Sequence, residues 1–171
     1  MVGPINRIQF LRGDFQGARD PLRPPWSLSD AQFQEKCSGC GDCITACPYH
    51  LISEGRGKFP EIDFTHYGCN FCGDCLTACK LGALHREVSD ETPPWHLKAT
   101  ILPTCLSLNA IVCRSCSEVC EERAISFKLQ TGGIARPLLE TNLCTGCGEC
   151  FAVCPIKAVK ISSTEPRDEA A

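Results

Sequence analysis

The stretch CSGCGDCITACP at residues 37–48 decides the fold, because the chain repeats it. A close copy, CNFCGDCLTACK, occupies residues 69–80, and CTGCGECFAVCP occupies residues 144–155. A looser copy, CLSLNAIVCRSCSEVCE, lies between these two at residues 105–121. All 16 cysteines of the chain fall into these blocks, four in each. In chain order they are the first, second, third and fourth cysteine blocks, and the looser copy is the third.

The spacing within the blocks indicates iron–sulfur chemistry. Three blocks share the run C-x2-C-x2-C-x3-C, which holds iron–sulfur clusters in bacterial two-cluster ferredoxins. Three cysteines in such a short segment can converge on one object only if the backbone curls tightly around it. Glycines just before the third cysteine, Gly41, Gly73 and Gly148, relax the steric limits on that curl. The blocks therefore predict [4Fe–4S] clusters, four in all.

Disulfides and zinc are the other common uses of so many cysteines. Disulfides would require export to an oxidising compartment. The N-terminus lacks the apolar run of an export signal, because residues 8–11 are followed by Arg12, Gly13 and Asp14. Zinc sites favour paired CxxC motifs separated by a longer finger, without a third and fourth cysteine close by. We therefore expect a cytoplasmic protein, without a membrane helix, whose reduced thiols bind clusters.

The charge of the chain bears on its partners. The formal net charge is −3, and each oxidised cluster with its four thiolates adds about −2, so a chain with four clusters would carry about −11. Such a charge argues against nucleic acid and favours a basic partner surface. Each half is too small to bury a large core, so we expect cluster binding and folding to be coupled.

The sequence predicts a duplicated α+β fold of the bacterial-ferredoxin type, two-cluster and pseudo-twofold, with short helices and small hairpins. The interval from Cys37 to Cys69 is 32 positions, and that from Cys113 to Cys144 is 31. The predicted units are a basic proline-containing arm (1–31), a first two-cluster domain (32–87), a linker (88–98), a second two-cluster domain (99–162) and a disordered tail (163–171).

Each predicted domain has the same internal plan. Apolar residues flank the turn at residues 55–57 and again the turn at residues 131–133, so a hairpin is expected at both places. The segment LGALHRE at residues 81–87 and the segment AVKIS at residues 158–162 each resemble a short closing strand.

Spacing alone does not show which cluster the fourth cysteine of a block reaches. In two-cluster ferredoxins it ligates the other cluster of the pair. Applied to this chain, that rule predicts four ligand sets, here called the first to fourth sets. They are Cys37, Cys40, Cys43 with Cys79; Cys69, Cys72, Cys75 with Cys47; Cys105, Cys113, Cys116 with Cys154; and Cys144, Cys147, Cys150 with Cys120. Each half would then be held closed by its two clusters.

The third block departs from the common spacing. Seven residues separate Cys105 from Cys113, so the third cluster could be more exposed or more labile. Alternatively, Cys105 is not a ligand, and the third site has three cysteines and an open iron. Lys80 and Glu121 replace the proline that usually follows the fourth cysteine, so we expect cluster environments to differ.

The N-terminal arm is basic, and the chain lacks the motifs of common enzyme classes. Arginines outnumber acidic residues in the arm before Asp30. Either Trp26 packs this segment onto the first half, or the arm docks a partner. The chain has no nucleotide-binding glycine loop and no arguable nucleophile–base arrangement. We expect an electron-transfer or assembly protein without a substrate site of its own, because the cofactor supplies the chemistry.

In combination, these features resemble the NapF family, ferredoxin-type accessory proteins of bacterial periplasmic nitrate reductase systems. The resemblance rests on the arginine-bearing N-terminus, on RPPW at residues 23–26, on the unusual third block and on the final CTGCGECFAVCP. One departure is that family members carry paired arginines near the N-terminus, whereas here Arg7 is followed by Ile8. If the arm contacts the partner, binding could be altered.

The resemblance implies a cytoplasmic protein that acts on the catalytic subunit of nitrate reductase before its export, in maturation with cluster or electron delivery. The alternative is a general low-potential electron carrier, or an electron-wiring subunit of a larger oxidoreductase. The first function predicts labile clusters and direct binding to the unexported subunit. The second predicts stable clusters that are reduced reversibly.

Overall fold

The computed structural model describes residues 21–86 and 93–164. Short helices and short strands alternate through these residues. The helices are α1 (Asp30–Lys36), α2 (Asp42–Ala46), α3 (Asp74–Ala78), α4 (Ser115–Glu118) and α5 (Glu149–Ala152). The strands are β1 (Ile52–Glu54), β2 (Pro60–Ile62), β3 (Leu97–Ile101), β4 (Ile125–Leu129), β5 (Ala135–Leu139) and β6 (Val159–Ser163). No helix among the described residues is long and apolar enough to cross a membrane.

Helices α2 to α5 are short, because each lies between the second and fourth cysteines of one block. Gly41, Gly73 and Gly148 precede α2, α3 and α5 in the left-handed region, with φ of 79°, 83° and 86°. Only glycine adopts this conformation without a steric penalty, so the predicted tight curl is confirmed at all three positions. In the third block, Arg114 takes the place of the glycine and has φ of −136°.

Both predicted hairpins are confirmed. Strands β1 and β2 pair antiparallel around a 3₁₀ turn at Arg56–Lys58. Strands β4 and β5 pair antiparallel from Ile125 opposite Leu139 to Leu129 opposite Ala135. The α+β prediction is thus confirmed at the level of short helices and small antiparallel sheets.

The two predicted closing strands have different outcomes. In the second half, β6 pairs antiparallel with β3 over five residue pairs, so a closing strand is present. In the first half, the prediction for residues 81–87 was wrong in extent, since the described part of that segment makes one β-bridge, between Leu84 and Ser27. Strand β3 starts within residues 88–98, the predicted linker, and β6 reaches Ser163, the first residue of the predicted tail.

The described part of the N-terminal arm packs against the first half. Pro24 and Pro25 are fully buried, and Trp26 is 8% exposed. The Trp26 N–H donates to Pro94 O at 2.6 Å, and His85 N–H donates to Trp26 O at 2.8 Å. This geometry fits the packing interpretation of Trp26. The arm's residues 1–20, residues 87–92 of the domain boundary and linker, and residues 165–171 of the predicted tail lie outside the described residues.

One apolar core runs through both halves. Its most deeply buried members include Phe33 (0% exposed), Ala83 (1%) and Leu84 (3%) from the first half, and Leu97 (6%) and Val159 (4%) from the second. Eleven of the sixteen cysteines also lie in or against this core, namely Cys37, Cys43, Cys47, Cys69, Cys75, Cys79, Cys116, Cys120, Cys144, Cys150 and Cys154. The core is therefore built largely around the thiols.

Candidate metal centres

The first ligand set is gathered around the buried Cys43. Burial raises the pKa of the Cys43 thiol to about 11, and the neighbouring Cys37, Cys40 and Cys79 thiols contribute to that rise. Three of these cysteines come from the first block, and Cys79 comes from the second. Cys40 is exposed, so one corner of this group faces solvent.

The second set is gathered in the same crossed manner. Cys47 of the first block lines one cavity together with Cys69, Cys72 and Cys75 of the second block. Pro25, Trp26 and Leu51 also line this cavity, so its walls are mostly apolar. Burial raises the pKa of the Cys75 thiol to about 12 and that of Cys69 to about 11, with neighbouring thiols adding to both shifts.

The third set shares a second apolar cavity. Cys105, Cys113, Cys116 and Cys154 all line it, together with Ile101 and Phe127 among others. Burial raises the pKa of the Cys116 thiol to about 11, and Cys105 is the neighbouring thiol with the largest influence on it. The long spacing of the third block therefore does not carry Cys105 away from its set.

The loop of the third block closes on itself and returns Cys105 to this cavity. Asn109 Nδ2 donates to Pro103 O at 2.9 Å and to Cys105 O at 2.8 Å. The hydroxyl of Ser107, a residue only 3% exposed, donates to Ala135 O on β5. The far side of the loop is open, because Val112 is 89% exposed.

The fourth set gathers around Cys150, which is 8% exposed. Burial raises the pKa of its thiol to about 12, and Cys147, Cys144 and Cys120 are among the neighbouring thiols that contribute. Burial also raises the pKa of Cys147. Cys120 comes from the third block, so the second half repeats the crossed arrangement of the first.

Backbone N–H groups donate hydrogen bonds to several of these sulfurs. Leu84 N–H donates to Cys79 Sγ at 3.3 Å, and Ala158 N–H donates to Cys154 Sγ at 3.1 Å. Both donors lie a few residues beyond the last cysteine of their half, in the segments predicted as closing strands. Such bonds help to set cluster potentials. Sequence analysis missed these donors, since every residue but proline carries an N–H and no side-chain pattern marks them.

The donor chemistry fits [4Fe–4S] clusters. All 16 cysteines lie in the described residues, and none forms a disulfide. Each gathered group contains four soft sulfur atoms, which is the number and kind of ligand that such a cluster requires. In the described residues, no three His, Cys, Asp or Glu side chains are close enough together to hold a single metal ion. The raised thiol pKa values mean that cluster binding must displace protons from these groups.

The residues that replace proline after Cys79 and Cys120 differ in charge and in their contacts. Lys80 Nζ lies 3.2 Å from Asp42 Oδ2, so the residue that replaces proline after Cys79 reaches back to the first block. Glu121 is exposed. The surroundings of the blocks therefore differ in charge at these positions.

Comparison with known proteins finds one matching domain family and several similar proteins. The family of 4Fe-4S dicluster domains matches residues 36–83 and again residues 111–158. Among curated proteins, the chain is 38% identical to the ferredoxin-type protein NapF of Haemophilus influenzae, over 98% of this chain and 99% of the relative. It is 36% identical to NapF of Escherichia coli K12, over 90% of this chain and 92% of that relative.

A second kind of relative is more distant. The chain is 33% identical to the ferredoxin-type protein NapG of Haemophilus influenzae, over 82% of this chain but 58% of that longer protein. Two dicluster domains and 16 cysteines together correspond to about four [4Fe–4S] clusters. The chain therefore belongs to the NapF family of ferredoxin-type iron–sulfur proteins.

Proposed function

We propose that this protein acts in the cytoplasm on the catalytic subunit of a periplasmic nitrate reductase, during maturation and before export, by delivering clusters or electrons. The observation that carries this proposal is the similarity to NapF of Haemophilus influenzae along 98% of the chain. The RPPW segment and the unusual third block, on which the family resemblance also rests, support it.

We propose further that the four sets are the cluster ligands, that Cys105 is one of them, and that each half has the pseudo-twofold arrangement of a two-cluster ferredoxin. Support comes from the shared cavities of the second and third sets and from the neighbouring thiols that raise the pKa of Cys43 and of Cys150. When bound, each cluster supplies one-electron chemistry. The residues hold it, exclude water with apolar walls, and donate N–H groups to sulfur.

The sets differ in solvent exposure, which determines how closely a partner can approach the clusters. Cys40 and Cys72 are exposed, so the first and second sets each have one ligand at the surface. At the third set, the loop beside Cys113 presents Ile111 (54% exposed) and Val112 to solvent. A partner could therefore approach either half closely, which suits delivery of electrons or of a labile cluster.

The test is an anaerobic pull-down with the catalytic subunit retained in the cytoplasm. The N-terminal truncation must end at residue 20, because Pro24, Pro25 and Trp26 belong to the buried core of the first half. The full chain should bind the precursor. If the basic arm docks the partner, removal of residues 1–20 should abolish binding; if recognition lies in the cluster domains, the truncated chain should still bind.

A charge-matched pair of variants separates docking from net charge. Arg7→Gln, Arg12→Gln and Arg19→Gln remove three positive charges from the arm. Lys128→Gln, Arg136→Gln and Lys160→Gln remove three from exposed positions on β4, β5 and β6. Weaker binding of the first variant alone would identify the arm as the docking element. No binding by any form with intact clusters would contradict the proposal and favour the general electron carrier.

A further inference from the structure

The second and fourth cysteine blocks touch through their backbones. Cys69 N–H donates to Cys147 O at 2.7 Å, although the two residues belong to different halves. Beside this bond, Gly68 N–H donates to Glu149 Oε1 at 3.1 Å. Each bond joins the second cysteine block, or the residue just before it, to the fourth block. Ligands of two different sets are therefore in direct contact.

Two glycines make so close an approach feasible. A Cβ on Gly68 would lie 2.6 Å from Glu149 N and 2.9 Å from Cys147 O, both of which are backbone atoms. A Cβ on Gly148 would lie 2.1 Å from the Phe64 ring. Since Cβ atoms do not approach other atoms so closely, any side chain at Gly68 must push the two blocks apart.

Side-chain hydrogen bonds and aromatic packing stabilise the contact between the second and fourth blocks. Trp95 Nε1–H donates to Thr145 O at 2.8 Å, and the Trp95 ring meets Phe71 edge-on at 5.3 Å. On the other side, Lys157 Nζ donates to Thr65 O at 3.3 Å. Aromatic packing and hydrogen bonds from several directions indicate a fixed interface.

The contact has a counterpart inside each half. In the first half, α2 of the first block packs against α3 of the second, and Cys47 of the first block lines the cavity of the second set, so the first and second sets are neighbours. In the second half, α4 of the third block packs against α5 of the fourth, and Cys154 of the fourth block lines the cavity of the third set, so the third and fourth sets are neighbours. Across the halves, the Cys69–Cys147 backbone bond links the second and fourth sets in the same way. Neighbouring sets thus follow one another without a break.

We propose that the contact of residues 64–71 with residues 145–149, here called the junction, positions the second and fourth sets as neighbours, so that the four cluster sites form one row. Their spatial order is first, second, fourth, third, which differs from their order along the chain. The third set, with its exposed loop, then stands at one end of the row and the first set at the other. This inference rests on the ligand assignment proposed above, but not on the nitrate reductase partner.

The test compares intact clusters in three full-length proteins under strong chemical reduction. Unpaired spins on neighbouring clusters broaden each other's electron paramagnetic resonance lines. Gly68→Val should force the junction open and separate the second cluster from the fourth. The line broadening that these two clusters cause in each other should then disappear, while the broadening between the two clusters within each half should remain. Exchange of the Cys69 amide hydrogen should accelerate on the order of tenfold or more. Iron and sulfide per chain should stay unchanged.

Gly55→Ala is the matched control, because its Cβ would meet the flexible Glu61 side chain, away from the junction. It should leave both the spectrum and the Cys69 exchange unaltered. Should Gly68→Val fail to retain its clusters, Glu149→Ala provides a milder opening by removing the acceptor of Gly68 N–H. Fast Cys69 exchange with unchanged broadening would overturn the proposal. So would slow exchange in Gly68→Val, because a valine does not fit the described contact.

Discussion

The two halves enclose their cysteines by one plan but close in different ways. The second half is sealed by five residue pairs between β3 and β6. In the first half, the described part of the closing segment makes a single bridge, from Leu84 to Ser27, and the buried Pro24, Pro25 and Trp26 and the Pro94 carbonyl complete the closure. The duplicated cysteine pattern therefore does not require a duplicated sheet. In the first half, the packing of the buried segment Pro24, Pro25 and Trp26 takes the place of the strand pairing that closes the second half.

Removal of iron should have the largest effect on stability and should show that the two halves differ in how readily they unfold. Because each half has a small core built around thiols, anaerobic chelation should unfold both halves. The first half should open sooner, since it has fewer ladder hydrogen bonds. Far-UV circular dichroism would follow unfolding, and hydrogen exchange would compare the β1–β2 and β4–β5 hairpins. Retention of native structure after iron loss, or earlier exchange in the second half, would contradict this expectation.

Trp26→Ala should weaken the first half specifically. Truncation of a buried aromatic side chain of this kind costs about 3–5 kcal/mol of unfolding free energy. Denaturant unfolding would measure the loss, and hydrogen exchange should rise around Ser27 and Leu84 but not in β3 or β6. Tyr67→Ala is the control, because Tyr67 is 53% exposed in the same half. An equal effect of the two changes would show that the Trp26 packing contributes little.

Ser107→Ala should weaken the second half at the third set. It leaves the Ala135 carbonyl without its buried donor, at a cost of about 1–3 kcal/mol. The loop that carries Cys105 should loosen, and iron should be lost to a chelator faster than from the unaltered protein. Ser117→Ala removes an exposed hydroxyl that donates to Arg114 O, and it serves as the control. Identical iron-loss rates in both variants would refute the role assigned to Ser107.

Lys80→Gln should have the smallest effect. The Lys80–Asp42 pair is exposed, and surface pairs of this kind contribute at most about 1 kcal/mol. Unfolding at low and high salt should therefore differ little between Lys80→Gln and the control Lys160→Gln. A large, salt-sensitive loss for Lys80→Gln alone would show that this pair helps to hold the first and second blocks together.

The hairpins and the tight glycine turns could be predicted from sequence, because each depends on local spacing. The crossed grouping of the cysteines does not follow from spacing and was expected only by analogy with two-cluster ferredoxins. The junction could not be predicted. Its central bond joins the backbones of Cys69 and Cys147, and backbone groups leave no signature in the sequence. Trp95 fell in a predicted linker, yet its ring lies between the halves. The closing segment of the first half was expected as a strand, but its partner, Ser27, adds only one bridge.

We propose that four crossed sets of cysteines hold the clusters, and that Cys105 is a ligand although seven residues separate it from Cys113. The most direct test is iron and acid-labile sulfide analysis, with Mössbauer spectroscopy, of anaerobically purified protein and of Cys105→Ala. We expect about four irons and four sulfides per cluster in the unaltered chain, and loss or conversion of one cluster in Cys105→Ala. Identical spectra and iron content in the two proteins would show that Cys105 is not a ligand. Stoichiometric zinc without sulfide would contradict the whole account.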